Sequence, residues 1–311
     1  MAATQTLPQA RSVQIINVPI DLGASRRGTD GGPSAMRVAG LGAALTKQGF
    51  EVLTDIDTFV PAMETREACR RDARFREEIL EVCTELAATT QQTLAEGATP
   101  VIIGGDHSVA MGTVAGVSAH YRSNDHDIGL LWFDAHGDMN LPETSPSGNI
   151  HGMPLAHLLG LGDPELAGIA GLAPAVKPEN VALVGIRSID DDERSIIHDA
   201  GIQTFTMRDI DQFGMAEVSR RAIETVTTGT AGFHVSFDVD GCDPEVIPGS
   251  GTLVPGGVSF REAHQLLENC ADTGQMTSIE LVELNPFLDD GNVSAERAVT
   301  LIQSAFGRSI L

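Results

Sequence analysis

The sequence predicts an α/β fold, a single-domain three-layer α/β/α arrangement around a mostly parallel, roughly eight-stranded sheet. Three observations carry that prediction. Short strand-like runs alternate with helix-length stretches along the chain, and strands that alternate with helices pair in parallel through crossovers that cover both faces of a sheet. Two of the runs, 128–133 and 233–237, read as strands buried on both sides, and each stops at an acidic block. No linker rich in proline, glycine or serine and no repeat divides the 311 residues, a length that α/β enzymes often reach as one domain.

In chain order the expected strands are SVQIINVP at 12–19, FEVLT at 50–54, TPVII at 99–103, IGLLWF at 128–133, VALVG at 181–185, QTFT at 203–206, FHVSF at 233–237 and MTSIELV at 276–282. The domain is expected to span 12–311. Residues 1–11 are polar, with Arg11 their only charge, and are read as a short mobile tail. They show no secretory signal, and no 18-residue apolar stretch follows. Cys69, Cys83, Cys242 and Cys270 have neither a CxxC pattern nor the density of a disulfide scaffold, which fits reduced thiols and a cytoplasmic location.

Charge narrows the partners. The chain carries a formal charge of −23, and Lys47 and Lys177 are its only lysines. Nucleic acid and anionic membranes both recruit basic patches, so neither is an expected partner. A surplus of negative charge instead favours solubility and the steering of a small cationic substrate.

The chemistry is concentrated in three segments. Asp134-Ala135-His136-Gly137-Asp138 and Asp238-Val239-Asp240 each begin where a strand ends, and His107 lies in Gly-Gly-Asp-His-Ser at 104–108. In extended backbone, side chains at i, i+2 and i+4 share a face, so Asp134, His136 and Asp138 can converge, as can Asp238 and Asp240. A single Asp-x-His at a strand end is ordinarily a turn or a helix cap. Three such segments at successive strand ends, with no lysine or arginine beside them, are better explained by cations that relieve carboxylate repulsion. Four carboxylates and two imidazoles are too rich in oxygen for a structural zinc site and suit a harder ion such as Mn²⁺. Six ligands also exceed the need of one catalytic ion, so a carboxylate-bridged pair, roughly 3.5–4 Å apart, and metal-assisted hydrolysis are expected. Cys242, beside one block, is expected to stay outside the site because hard ions prefer oxygen.

The blocks DAHGDMNLPETSPSGNIHGMP at 134–154, GGDHS at 104–108, SFDVDGCDP at 236–244 and ELVELNP at 280–286, with VPIDLGASRRGTDGGPSAMR at 18–37, resemble the arginases, within the wider ureohydrolase group. The resemblance covers nearly the whole chain and implies the arginase/deacetylase-like version of the predicted fold. It implies two Mn²⁺ per subunit, one held by His107, Asp134, Asp138 and Asp238 and the other by Asp134, His136, Asp238 and Asp240. It further implies hydrolysis of L-arginine to L-ornithine and urea through a hydroxide bridging the two ions. Glu283 is then the carboxylate that grips the guanidinium, His151 the proton shuttle at the cleft mouth, and Asp138 both ligand and acceptor of the nucleophile's proton. Asn140, Ser145, Ser147 and Asn149 fall where the family receives the substrate's α-carboxylate, Asp190 and Glu193 where it binds the α-ammonium, and Thr252 beside Glu283. Asp190 and Glu193 also read, without the resemblance, as an ordinary helix cap. Gly137, Ser145, Pro146 and Ser188 depart from the animal pattern, and Gly137 and Pro146 look like the bacterial branch. The agmatinase branch, which shares all six ligands, is the alternative, followed by a silent regulatory relative. A homotrimer or homohexamer is the assembly the resemblance implies.

Overall fold

Nine strands in the computed structural model, which describes residues 12–308, form one sheet in which every pairing is parallel. They are β1 Ser12–Asn17, β2 Glu51–Val52, β3 Ile56–Asp57, β4 Thr99–Ile103, β5 Gly129–Phe133, β6 Val181–Ile186, β7 Gln203–Thr206, β8 Phe233–Asp238 and β9 Met276–Val282. The order across the sheet is β2-β1-β4-β9-β8-β5-β6-β7, with β3 also paired to β1. The strand beyond the eight expected runs is β3, two exposed residues with no apolar run to announce it. The tail expected at 1–11, and residues 309–311, lie outside the described residues.

Helices cover both faces: α1 Gly32–Val38, α2 Leu41–Lys47, α3 Arg76–Ala95, α4 Ala110–Arg122, α5 Pro154–Leu158, α6 Pro164–Ala167, α7 Asp191–Ala200, α8 Met207–Phe213, α9 Met215–Thr227, α10 Phe260–Asp272 and α11 Val293–Ala305. Alternation along the strands sorts their side chains between two cores. Leu131, Phe133, Val235, Phe237, Ile279 and Leu281 pack under α9, α10 and α11, whereas Ile102, Leu130, Trp132 and Val282 pack under α3 and α4. Among the described residues no helix is long and apolar enough to cross a membrane.

Register then sets the position of the acidic blocks. Phe133 pairs with Phe237 and Phe237 with Leu281, so Asp134 and Asp238 leave adjacent strands abreast, with Glu283 one residue past the neighbouring pair. Neighbouring strands are about 4.8 Å apart, which is close enough for two carboxylates to share a cation. Ligands in open parallel sheets bind beyond the carboxyl ends of the strands, and β4, β5, β6, β8 and β9 all end at this point.

A buried ion pair anchors the start of α3. Arg76 Nε and Nη2 donate to the two oxygens of Asp163 at 2.7 Å each, and Asp163 also accepts from the backbone N–H groups of Glu165 and Leu166 at the start of α6. Arg76→Met leaves the buried Asp163 charge without its partner and is expected to cost about 3 kcal/mol in urea unfolding. Hydrogen bonding to Arg76 holds the Asp163 carboxyl at about 2, below its ordinary value near 3.9. The stability from the pair is therefore present above about pH 4 and lost as pH falls through about 2. Wild type should accordingly lose more stability than Arg76→Met between pH 5 and 2.

Candidate metal centre and substrate cleft

His107 enters the site through a sharp approach of backbone. After β4 the chain turns at Gly105, where a Cβ would lie 1.7 Å from the Ile20 carbonyl oxygen, so only glycine fits. Asp106 accepts from Gly23 N–H at 2.7 Å and Ser108 N–H at 3.0 Å, tying the segment after β1 to the turn after β4. The His107 ring then stacks on Trp132 with centroids 4.1 Å apart.

Its Nδ1 lies 3.2 Å from Asp134 Oδ2, 3.0 Å from Asp138 Oδ2 and 3.2 Å from Asp238 Oδ2. A second imidazole, His136, has Nδ1 3.4 Å from Asp134 Oδ1 and 3.2 Å from Asp240 Oδ2. The two oxygens of Asp134 thus face different histidines, and Asp134 belongs to both groups of side chains close enough to hold an ion, His107–Asp134–Asp238 and Asp134–His136–Asp240. Asp138 is brought in by a left-handed backbone, φ 51°, a conformation costly for a non-glycine residue and commonest at functional sites.

The hydrogen bonds behind His107 show what its Nδ1 presents. Nε2 lies 2.8 Å from Ser236 Oγ, and Ser236 in turn donates to Glu280 Oε1 at 2.7 Å. Burial pushes the Glu280 carboxyl up, but His234 and the donors around it outweigh burial and keep it below its ordinary range. An ionised carboxylate only accepts, so the single Ser236 hydroxyl proton goes to Glu280, and His107 must donate from Nε2. In the neutral ring Nδ1 is then a bare lone pair aimed at three carboxylates, and it has no hydrogen-bond partner although buried. That arrangement repels unless a cation stands between the groups, and outer hydrogen bonds that fix the tautomer of a histidine ligand are typical of metal sites. The residues present fit a divalent ion with mixed oxygen and nitrogen ligands.

Protons answer the same crowding in the metal-free chain. Burial disfavours the His107 and His136 imidazolium forms, yet the facing carboxylates outweigh it and raise both, His136 to about 12. Burial and then the charges of Asp240 and Asp134 push Asp238 well up, and burial with Asp134 pushes Asp138 to about 6. Asp134 moves the other way, because His107 and His136 overcome its burial and hold it low.

The centre opens into a cavity of about 140 Å³, lined among others by Asn140, His151, Ser188, Asp190, Glu193 and Thr252. Asn140 Nδ2 donates to Asp190 Oδ2 at 3.2 Å. Asp190 is the N-cap of α7 and its N–H meets Glu193 Oε2 at 3.3 Å, so the helix-cap reading and the position on the cleft wall both hold for these two residues. Glu193 also accepts from Met139 N–H at 2.9 Å, and burial raises its carboxyl to about 7. Thr252 donates to Asp240 Oδ2 at 2.7 Å, a hydrogen bond to the acidic block. Glu283, in a left-handed backbone at φ 62°, accepts from His107 N–H and pairs with His151 Nδ1, both at 2.9 Å and both through Oε1. Burial is the largest single influence on His151 and lowers it, but the charge and hydrogen bond of Glu283, with the charges of Asp106 and Asp138, together outweigh burial and raise it to about 9.

Three expected residues stand apart from the walls. Ser145 Oγ accepts from Gly148 N–H at 3.0 Å and Ser147 Oγ from Asn149 N–H at 3.2 Å, closing turns within the loop. Asn149 Oδ1 accepts from Ser25 Oγ at 3.0 Å and Arg74 Nη1 at 3.4 Å. None of the three lines the cavity. Cys242 is buried in the apolar core away from the cleft, with its thiol pushed up by burial.

Sequence reading missed several supports. Trp132, the only tryptophan, donates to Asp134 Oδ2 at 3.0 Å; its place two residues before Asp134, on the same strand face, was the available signal. Ser236 and Glu280 sit at alternate positions of apolar strands and carried a weaker one. Arg187 donates to the carbonyls of Gly185, Asp240, Gly241, Cys242 and Val254, binding the Asp240 turn to the segment that carries Thr252. No pattern in the sequence reveals a guanidinium paired with carbonyls alone.

A parallel sheet with an acidic, histidine-containing cluster beyond its strand ends defines the class of α/β proteins with a candidate metal-binding centre. Comparison with known proteins narrows the class. The arginase family profile matches residues 11–307. The chain is 45% identical over 301 residues to an arginase of Brevibacillus brevis, covering 97% of this chain and 99% of that one. Its structure superposes on the arginase of Bacillus caldovelox with a TM-score of 0.92 at 43% identity, over 96% and 99% of the two chains. The arginase of Entamoeba histolytica solved with L-ornithine gives 0.89 at 36% identity, over 97% and 100%. The chain belongs to the arginase family and is a hydrolase of the ureohydrolase type.

Proposed function

We propose that this enzyme cleaves the guanidinium group of L-arginine to L-ornithine and urea with two Mn²⁺ ions. His107, Asp134, Asp138 and Asp238 hold one ion, and Asp134, His136, Asp238 and Asp240 the other. When bound, such a pair supplies a water that is nucleophilic near neutral pH. The observation that carries the reading is the orphaned His107 Nδ1 among three carboxylates, beside the Glu283–His151 pair; the family supplies the substrate class.

The chain's own groups divide the remaining work. Glu283 meets the planar guanidinium donors, a geometry that carboxylates pair with well, and aims the carbon at the water. Asp138 takes the water's proton as the new carbon–oxygen bond forms. His151, held protonated by Glu283, gives a proton to the leaving amine as the carbon–nitrogen bond breaks. Asn140, Asp190, Glu193 and Thr252 line the end of the cleft that receives the amino-acid portion, with Ser145, Ser147 and Asn149 in the loop at its rim.

Urea release after incubation with Mn²⁺ tests the proposal, comparing L-arginine with agmatine at equal concentration. L-Arginine is expected to be the better substrate by at least about tenfold in kcat/KM, about 1.4 kcal/mol. Preference for agmatine keeps the hydrolytic chemistry and overturns the substrate, and release from neither overturns both. A homotrimer or homohexamer belongs to the same reading, supported by the exposure of Val38, Phe59 and Phe287; light scattering that gives a monomer contradicts it.

A further inference from the structure

We propose that Arg74 determines specificity in this enzyme by supplying the positive charge that meets the substrate's α-carboxylate. The inference rests on the reading of L-arginine as substrate and names the group that distinguishes it from a plain amine.

The cleft itself is anionic. Asp138, Asp238 and Asp240 belong to the proposed ion centre, Asp190 and Glu193 are the acidic groups of the outer wall, and among the described residues no lysine or arginine lines the cavity. Such a wall suits the cationic groups of an amino acid and repels its carboxylate. No cation on the outer wall meets the carboxylate, and the serine and asparagine donors of the neighbouring loop are neutral.

Arg74 reaches the loop that runs between the lining residues Asn140 and His151. Its Nη1 donates to Ser25 Oγ at 3.1 Å and to Asn149 Oδ1 at 3.4 Å, two residues along the chain from His151 on the cavity wall. Its backbone N–H donates to the Gly148 carbonyl at 2.9 Å. Gly148 adopts φ +68° where a Cβ would meet the Arg71 carbonyl at 1.8 Å, so the donor loop lies directly against the segment that carries Arg74. Several neighbouring guanidiniums are already matched, Arg27 with Asp21 and Glu64, Arg66 with Glu78, Arg70 with Asp72 and Arg76 with Asp163; Arg26 packs against Gly251 instead, and of these side chains it is Arg74 that reaches Asn149. Arg74 meets two neutral oxygens and the face of the Phe75 ring, and no carboxylate among the described residues, which leaves its charge available in a chain of −23.

Those contacts also orient the amide. Asn149 Oδ1 is taken by Ser25 and Arg74, so the Asn149 NH₂ is the face left for an anion. Arg74 thus turns a neutral donor toward the carboxylate and adds the charge that strengthens such bonds roughly twofold.

Arg74→Gln and Arg74→Lys, loaded with Mn²⁺ and checked for metal content and melting temperature, provide the test. Arg74→Gln is expected to raise the KM for L-arginine about 10- to 30-fold, with most of the loss in KM rather than kcat, and to lower the arginine-to-agmatine ratio of kcat/KM by a similar factor. Arg74→Lys keeps the charge and should recover a substantial part of the ratio. Binding of L-ornithine, measured by calorimetry, should weaken more than binding of putrescine, which lacks the carboxylate. Equal losses for both substrates, or none for L-arginine, overturn the proposal, since a residue that merely tethers the loop does not distinguish them. A wild-type enzyme that prefers agmatine overturns the substrate reading beneath it, an outcome visible before any variant is made.

Discussion

Asp134→Ala is expected to lower kcat by at least about three orders of magnitude, roughly 4 kcal/mol of barrier, and to remove Mn²⁺-dependent thermal stabilisation. Asp134 is the one carboxylate whose two oxygens face both histidines, Oδ2 toward His107 and Oδ1 toward His136. Its loss removes a ligand from both candidate ion sites. It also frees the Trp132 Nε1 donor and the His136 N–H, which Asp134 accepts at 3.0 and 2.7 Å. An ion that binds only the folded state raises its stability by mass action, so wild type should melt higher as Mn²⁺ is added and the variant should not. Elemental analysis gives the decisive reading, and a variant that retains both ions and turns over normally contradicts the proposed centre.

Glu283→Gln should act on substrate and leave the ions in place. Glu283 touches His107 only through its backbone N–H, so elemental analysis should give the metal content of wild type. The loss in kcat/KM for L-arginine is expected to reach about 10³-fold, because a site built to pair buried donors leaves them unsatisfied when the carboxylate goes. His151 adds a second readout. Burial favours its neutral form and the Glu283 charge reverses this, holding it at about 9. A histidine raised in the fold contributes stability fully present below about pH 6.5 and lost as pH rises through about 9. In the metal-free protein Glu283→Gln should move the His151 titration, followed by NMR, downward and remove that stability. An unmoved titration places the cause elsewhere.

The halves of the site differ in how plainly the chain announces them. Asp134 and Asp238 were legible because each follows a run of buried strand residues, and parallel register brought the two strand ends level. His136 and Asp240 were expected to converge through the two-residue period of extended backbone, but the chain turns after both strands, with Asp240 in a 3-10 turn at Val239–Gly241 and Asp138 left-handed, so the turns and not a strand period bring these side chains in. The loop at 145–149 was harder to read: its side chains are short polar groups that serve a turn as readily as a ligand, and here Ser145 and Ser147 close turns while Asn149 is held by Ser25 and Arg74. Asp190 shows a different ambiguity, since capping α7 and lining the cleft need the same carboxylate.

By itself the sequence determined the layered parallel fold, the strand ends at which acidic groups collect, and the family, because these depend on local apolar periodicity and on contiguous motifs. The folded chain alone reveals which nitrogen of His107 faces the carboxylates, which carbonyls Arg187 gathers, and that Arg74 stands beside Asn149. Distance along the chain accounts for the difference. His107 is oriented by Ser236, 129 residues away, which is anchored in turn by Glu280, 44 residues further on; Arg74 and Asn149 are 75 residues apart. A hydrogen bond between side chains so far apart has no period to read, and it exists only once the sheet order has put β4, β9, β8 and β5 side by side.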